Sequence, residues 1–325
     1  MKSVFGSNLI ISLFGESHGE CVGATIHNLP AGIKIDYDFI NSEIERRKPK
    51  NEFETKRRED DSYKFISGIY NGYTNGAPVT VLIPNEKFDS SCYDEGVIRP
   101  GTSDLPHYIR TEGFGDLNGS GHFSGRLTAP LVVIGAICKK ILNNKNIKIE
   151  SSLSSALEPK TNDTTGFSLK LTIKGLPIGI GEPFFDSMES VLAHLLFSIP
   201  SVKGVSFGDD DIDKKYGSEV IDEIRYLDHK IKIMNNHNGG INGGLSNGND
   251  CIINIKFKPI SSIPTKQNTI NIKTKENIEY IINGHHDLTI KNRCGVITEN
   301  IIAIGILDLL TSFYNMNWIT KWKDA

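Results

Sequence analysis

Seven arginines fall within the first 130 residues of this 325-residue chain: Arg46, Arg47, Arg57, Arg58, Arg99, Arg110 and Arg126. A guanidinium offers a rigid fork of N–H donors that matches the oxygens of a carboxylate or a phosphate. Arg46 and Arg47 close a helical stretch, where a cation also offsets the helix dipole. Arg57-Arg58-Glu59-Asp60-Asp61 reads equally well as a solvated charge run. Arg99-Pro100-Gly101 and Ser124-Gly125-Arg126 lie in glycine-rich stretches and are the stronger anion-binding candidates. Together the arginines point to a substrate carrying several negative charges.

A second kind of chemistry sits at Gly15-Glu16-Ser17-His18-Gly19, where His18 is held between two tight turns and can offer a proton to a leaving group. The same five residues match the G-x-S-x-G nucleophile elbow of esterases. An elbow needs a helix directly after the serine, and Cys21–His27 reads as a strand, so an esterase working through Ser17 is the weakest functional reading. Gly119-Ser120-Gly121-His122-Phe123-Ser124-Gly125 precedes a helix and can aim N–H groups at an anion. It is not G-x-G-x-x-G, and a nicotinamide-dependent dehydrogenase fits poorly. Lys258-Pro-Ile-Ser261-Ser262 supplies a cation and two hydroxyls, and Gly284-His285-His286-Asp287 suits proton relay. No second His/Asp cluster stands at metal-ligand spacing, so no metal site is expected.

These residues must be positioned by the surrounding elements. Alternating apolar residues predict strands over Leu9–Phe14, Cys21–His27, Tyr63–Tyr70, Pro78–Ile83, Phe167–Ile173, Val202–Phe207 and Cys251–Phe257. Helices are predicted over Asp36–Lys48, Thr128–Leu142, Asp186–Phe197, Lys275–Asn283 and Thr298–Tyr314. The elements do not alternate as in a Rossmann fold, and one α+β domain of layered sheets and helices is expected over 1–325. Three long glycine-rich connections, Gly113–Gly125, Gly175–Pro183 and Asn235–Gly248, let backbone approach a ligand closely.

The net charge of −3 argues against nucleic acid as a partner. The five cysteines are scattered without a C-x-x-C pair, which suits structural thiols in a reducing compartment. The apolar run Leu127–Cys138 is too short to span a bilayer, and no cleavable signal is apparent near Lys2. A soluble, cytoplasmic protein with no membrane partner is expected.

In order and spacing, the motifs resemble the chorismate synthase family along nearly the whole chain. The resemblance rests on Phe14-Gly-Glu-Ser-His-Gly19, Arg46-Arg-Lys-Pro49, Arg57-Arg-Glu59, Ser67-Gly-Ile-Tyr-Asn-Gly72 and Arg99-Pro-Gly101. It continues through Gly121-His-Phe-Ser-Gly-Arg126, Gly179-Ile-Gly-Glu-Pro183, Ser198-Ile-Pro-Ser-Val-Lys-Gly204, Gly239-Gly-Ile-Asn-Gly-Gly244 and Lys258-Pro-Ile-Ser-Ser262. It implies a β-α-β sandwich, a homotetramer, and an FMN-dependent lyase. Such an enzyme removes phosphate and a ring proton from 5-enolpyruvylshikimate 3-phosphate by 1,4-anti elimination, using reduced FMN in a redox-neutral reaction.

The resemblance further implies roles for particular residues. Arg47, Arg99 and Arg126 would bind the substrate's phosphate and two carboxylates, and His18 would protonate the departing phosphate. His122, Phe123, Ser124, Ser201, Gly243, Lys258, Ser261, Ser262 and His285 would line the FMN site, and Asp287 would help the flavin N5 accept the ring proton. With no nicotinamide motif for NADPH, an external flavin reductase is the expected electron source. The chain departs from the family pattern at Lys50, in place of a glycine, at Thr102, in place of a histidine, and at His285, in place of an arginine. His107 or His122 is expected to cover for the missing histidine, and His285 to work partly as a cation. The alternative reading is a catalytically weakened paralogue that still binds FMN or shikimate-type anions.

Overall fold

The computed structural model describes residues 1–50, 54, 59–86, 88–91, 93–158, 160, 162–282 and 287–320. Two antiparallel sheets enclose a layer of helices. The first sheet contains Val4–Phe5 (β1), Ile11–Gly15 (β2), Cys21–Ile26 (β3), Lys64–Ser67 (β4) and Val79–Pro84 (β5), in the order β1-β2-β3-β5-β4. The second contains Lys148–Ala156 (β6), Phe167–Lys174 (β7), Val202–Phe207 (β8) and Cys251–Phe257 (β9), in the order β8-β9-β7-β6. The larger helices are Tyr37–Arg47 (α1), Asp104–Arg110 (α2), Thr128–Asn144 (α3), Met188–Ser198 (α4) and Lys291–Tyr314 (α5). α3 packs on β3 and β5 from the first sheet and on α5, while α4 and α5 cover the second sheet.

Strand alternation explains the layering. On β3, Val22, Ala24 and Ile26 are buried, and on its partner β5 so are Val79, Val81 and Ile83. On β7 and β9 the buried sets are Phe167, Leu169, Leu171, Ile173 and Cys251, Ile253, Ile255, Phe257. Each sheet thus turns one apolar face to the helices. α5 lies between the layers and is buried almost continuously from Val296 to Thr311, which accounts for its apolar character all round. It is long and apolar enough to cross a membrane, but its apolar window is 94% buried inside the protein, so it is a core helix. Asp308 on this helix accepts the backbone N–H groups of Ser7, Asn8 and Leu9 and so anchors the N-terminal segment before β2.

The three helices that bear on the site are joined by a buried ionic network. Glu299 of α5 accepts from both terminal nitrogens of Arg46 (2.7 and 2.9 Å), from Lys139 (2.6 Å), and from the N–H and hydroxyl of Ser151. Glu43 accepts from Arg46, Lys139 and Asn300. α1, α3, α5 and β6 are thereby held in one arrangement. Burial pushes the Glu299 carboxyl up, but Arg46 and Lys139 outweigh it and hold its pKa below the usual value. A depressed carboxylate contributes stability that is fully present above the ordinary range of about 4.3 and is lost as pH falls through the folded value. Removing one partner of a buried network costs about 3–5 kcal/mol, so Glu299→Ala is expected to lower unfolding free energy by that amount at neutral pH. Denaturant unfolding checks this, and a loss below about 1 kcal/mol would show the network to be energetically idle.

The sequence expectations hold for the strands named, with ends shifted by a residue or two and Tyr63–Tyr70 divided at Gly68 into β4 and a short strand Ile69–Tyr70. One element is corrected. The helix expected over Lys275–Asn283 is replaced by a strand: Glu276–Ile281 pairs antiparallel with Lys266–Asn271, leaving Ile278 and Tyr280 on the half-buried face, and Asn283 lies outside the described residues. α5 begins at Lys291, seven residues before Thr298. α4 takes Ser187 as its cap, whose hydroxyl accepts from Ser190 N–H, in place of Asp186. Asp36 caps α1 as expected, accepting from Phe39 N–H.

Candidate active site

α1 ends, and α3 and α5 begin, around one cavity of about 280 Å³. Arg47, the last residue of α1, is buried there and donates from Nη1 to Asp61 (2.8 Å) and from Nε and Nη2 to Thr128 Oγ1 (3.3 and 3.2 Å). Arg126, just before α3, is also buried and pairs with the other oxygen of Asp61 and with Glu59 (2.6 Å). Its Nε donates to Asn85 Oδ1 (2.9 Å) and its Nη2 to Pro84 O (3.0 Å). Burial, together with the charges of Arg293 and Arg126, brings the Arg47 pKa down to about 10 although Asp61 opposes it, so Arg47 stays charged at neutral pH. Burial likewise raises the Asp61 carboxyl, and the two arginines more than reverse that.

The cavity wall also includes Lys48, Ser124, Gly125, Ser201, Asp287 and Arg293. Both α3 and α5 begin at it, and neither has an acidic residue in its first turn; the side-chain acceptors there are the neutral hydroxyls of Thr289, which takes Lys291 N–H, and Ser124, which takes Arg126 N–H in the turn leading into α3. The positive ends of two long helices thus act on the same space as the guanidinium groups, the arrangement expected of a receptor for anions. Cys294 is part of the wall, and burial pushes its thiol up to about 12, which makes it a neutral surface.

Asn85 connects this cavity to the His18 turn. Its amide nitrogen donates to Glu16 O (2.9 Å) and Gly19 O (2.8 Å), while its oxygen receives Arg126. His18 Nδ1 lies 2.8 Å from Ser90 Oγ, and its ring packs beside Phe88 and Tyr93. From the other side, Gly119 closes on it. A Cβ there would stand 2.7 Å from His18 Nε2, and φ is +55°, so only glycine suits the position. Ser17 is buried, its N–H donates to Gly121 O, and strand β3 follows without any helix, which removes the nucleophile elbow.

Other expected site residues fall elsewhere. Arg99 does not share the cavity with Arg47 and Arg126. It is paired through two nitrogens with Asp104 (2.6 and 2.7 Å), donates to Ser120 and Leu117 O, and lines a separate cavity of about 320 Å³ with Tyr93, Tyr108 and Tyr280. In that place it ties the Arg99-Pro-Gly101 turn to the glycine-rich loop around Ser120. Thr102 donates to Arg99 O (2.8 Å) and accepts from Asp104 N (3.2 Å), so a hydroxyl orders the entry to α2. His122 is engaged at both nitrogens: Nδ1 donates to Gly15 O (2.8 Å) and Nε2 faces Ser3 Oγ (2.7 Å). His107 is buried against Phe123, with its Nδ1 unpartnered among the described residues.

Ser124 and Ser201 are in the cavity wall, and Lys258 N–H donates to Ser201 O, which brings the Lys258–Ser261–Ser262 turn alongside. Lys258 Nζ donates to Gly101 O (3.0 Å) and to Ser261 Oγ. Burial and the nearby Lys203 lower its pKa. Gly243 sits apart, in a hairpin packed on the start of α4 through Met188 N–H to Gly244 O (2.9 Å). His285, Arg57 and Arg58 lie outside the described residues. Sequence reasoning missed Asp61, Glu59, Asn85 and Arg293. The first two lay in what reads as a surface charge run, and nothing in the sequence marked Asn85 or Arg293.

Fold and cavity together define a class, a β-α-β sandwich with a cation-lined cavity where its helices begin. The same fold, over 98% of this chain and 97% of the other, is found in a crystal structure of a chorismate synthase, at a TM-score of 0.75 and 21% identity. The sequence carries the relationship further. The family model for chorismate synthase matches residues 9–161 and 155–311. The chorismate synthase of Chitinophaga pinensis is 39% identical, covering 98% of this chain and 99% of its own length. That of Korarchaeum cryptofilum is 33% identical, over 94% of this chain and 96% of its own. The chain belongs to the chorismate synthase family, and its function is that family's lyase activity.

Proposed function

We propose that the chain converts 5-enolpyruvylshikimate 3-phosphate to chorismate, breaking the C–O bond to phosphate and a ring C–H bond by 1,4-anti elimination. The observation that carries this is the convergence on one cavity of Arg47 and Arg126 with the N-termini of two helices that have no acidic first-turn residue. A substrate with one phosphate and two carboxylates needs such a surface, because buried cations bind anions strongly only where their donors are preorganised. His18 holds the proton for the departing phosphate, fixed by Ser90 on one side and Gly119 on the other. Asp287, at the cavity wall, serves on the side where the ring proton leaves.

The residues present fit a flavin. Gly125, in the cavity wall, has nothing within 4 Å of where a Cβ would stand, so a flat ring can meet bare backbone there, whereas Gly243 is open in the same way but stands apart from the cavity. Ser124 and Ser201 add hydroxyls, and Lys258 with Ser261 and Ser262 suits a phosphate tail. His122 and Phe123 support the loop that carries Ser124. Reduced FMN, when bound, supplies the electron-rich partner that makes loss of phosphate possible in a reaction without net redox change. The chain binds, orients and excludes water. The proposal includes a single domain, a homotetramer in the cytoplasm, and electrons from an external flavin reductase.

Flavin binding tests the cofactor part. Lys258→Gln is expected to raise the Kd for FMN about tenfold, the worth of one charge-assisted hydrogen bond, as read by flavin fluorescence quenching. An unchanged Kd would remove Lys258 from the flavin site.

A further inference from the structure

Among the described residues three guanidinium groups line the cavity beside Lys48, and the third is Arg293, in the first turn of α5. We propose that Arg293 binds substrate, as the third cation for a trianion, in the place where the sequence had suggested Arg99. The inference rests on the reading that the substrate lies between Arg47 and Arg126. It follows from charge and geometry. A phosphate and two carboxylates present three separated anionic groups, and Arg99 lines a different cavity from Arg47 and Arg126. Arg47 and Arg126 share Asp61, whereas Arg293 lines the same cavity with a separate partner, Asp287, so it is a cation independent of the Asp61 cluster.

Arg293 is largely buried and is close enough to Arg47 to depress its pKa. Like charges crowded inside a protein repel, and an anion bound among them relieves that repulsion. The α5 N-terminus adds to the same potential without an acidic first-turn residue to cancel it. Asp287 is six residues back in the chain and also in the wall, which lets Arg293 hold that carboxylate in line while its remaining N–H groups face the substrate.

Substrate binding without turnover isolates the role. Titration calorimetry of 5-enolpyruvylshikimate 3-phosphate into the enzyme with oxidised FMN measures Kd with no chemistry to confuse it. Arg293→Gln is expected to raise Kd about 30-fold, and Arg293→Lys, which keeps charge but not the fork, about fivefold. Asp287→Asn, which leaves Arg293 in place and removes a negative charge, is expected to bind at least as tightly as the native enzyme while its kcat falls. Arg293→Gln binding within threefold of native would overturn the proposal, as would tenfold weaker binding by Asp287→Asn. Arg47→Gln serves as the control. If its Kd also equals the native value, the reading of the cavity itself is wrong, a result distinct from failure of Arg293 alone.

Discussion

Arg126→Gln is expected to lower kcat/KM about 10³-fold, corresponding to roughly 4 kcal/mol of lost transition-state stabilisation. Three effects act together. The substitution removes a buried guanidinium from the anion cavity, a loss of about 2–5 kcal/mol where the partner is itself charged. It leaves Asp61 and Glu59 buried with fewer cations, so both add repulsion toward an incoming anion. It also cuts the link through Asn85 to the backbone of the His18 turn, so the proton donor loses part of its placement. Arg126→Lys keeps the charge but not the fork and is expected to fall between native and Gln. Steady-state kinetics on folded protein, with folding verified by thermal melting, decides the matter. A kcat/KM for Arg126→Gln within tenfold of native would show that the anion is bound elsewhere.

His18→Asn carries the second large expectation. General acid catalysis is worth about 10²–10⁴ in rate, so kcat should fall into that range while substrate Kd changes by no more than about threefold. The separation of the two constants is the diagnostic feature. His18 stands beside the cavity, joined to it through Asn85 and Arg126, and not in its wall, so ground-state binding runs chiefly through the arginines and the imidazole meets the phosphate as it departs. A Kd that rises in step with the loss of kcat would make His18 a binding group. A kcat within tenfold of native would leave phosphate departing with its proton from solvent.

The sheets were largely readable from alternation because each turns one face to the helices. β7 and β9 show this plainly, with every second residue buried. β6 was not, because Lys148–Ala156 is a serine-rich edge strand whose pattern carries few apolar positions. Glu276–Ile281 read as helix since Glu and Lys favour one locally, and pairing with Lys266–Asn271 overrode that preference. The first turn of α5 escaped notice because Lys291-Asn-Arg-Cys-Gly lacks a capping signal. Gly295 there serves contact: a Cβ would stand 2.6 Å from Ser151 Oγ, so the glycine lets the helix approach β6.

The site was legible in kinds of residue more than in their grouping. Arg47 and Arg126 were identifiable as candidates for anion binding and do share one cavity, but their shared partner Asp61 was hidden in a run of charges that looks solvated. Arg99 falls in a different cavity from Arg47 and Arg126, and Arg293, which nothing in the sequence marked, lies in theirs. Arg99 is tied to Asp104, five residues on, in another cavity, whereas Arg293, itself paired with Asp287, is carried to the Arg47 cavity by packing of α5 between the sheets. Tertiary placement of that kind leaves no trace in local spacing. The substitution of Thr102 for histidine has a structural use, ordering α2, and His107 one turn further is buried with an unpartnered nitrogen.

The most direct test is phosphate release from 5-enolpyruvylshikimate 3-phosphate by the purified chain with chemically reduced FMN under anaerobic conditions, with chorismate followed by its ultraviolet absorbance. Stoichiometric phosphate and chorismate over many turnovers, abolished by omission of the flavin, is the predicted result. Tight binding of substrate and flavin without release of phosphate would contradict it, and would identify a paralogue that kept the anion cavity and lost the elimination.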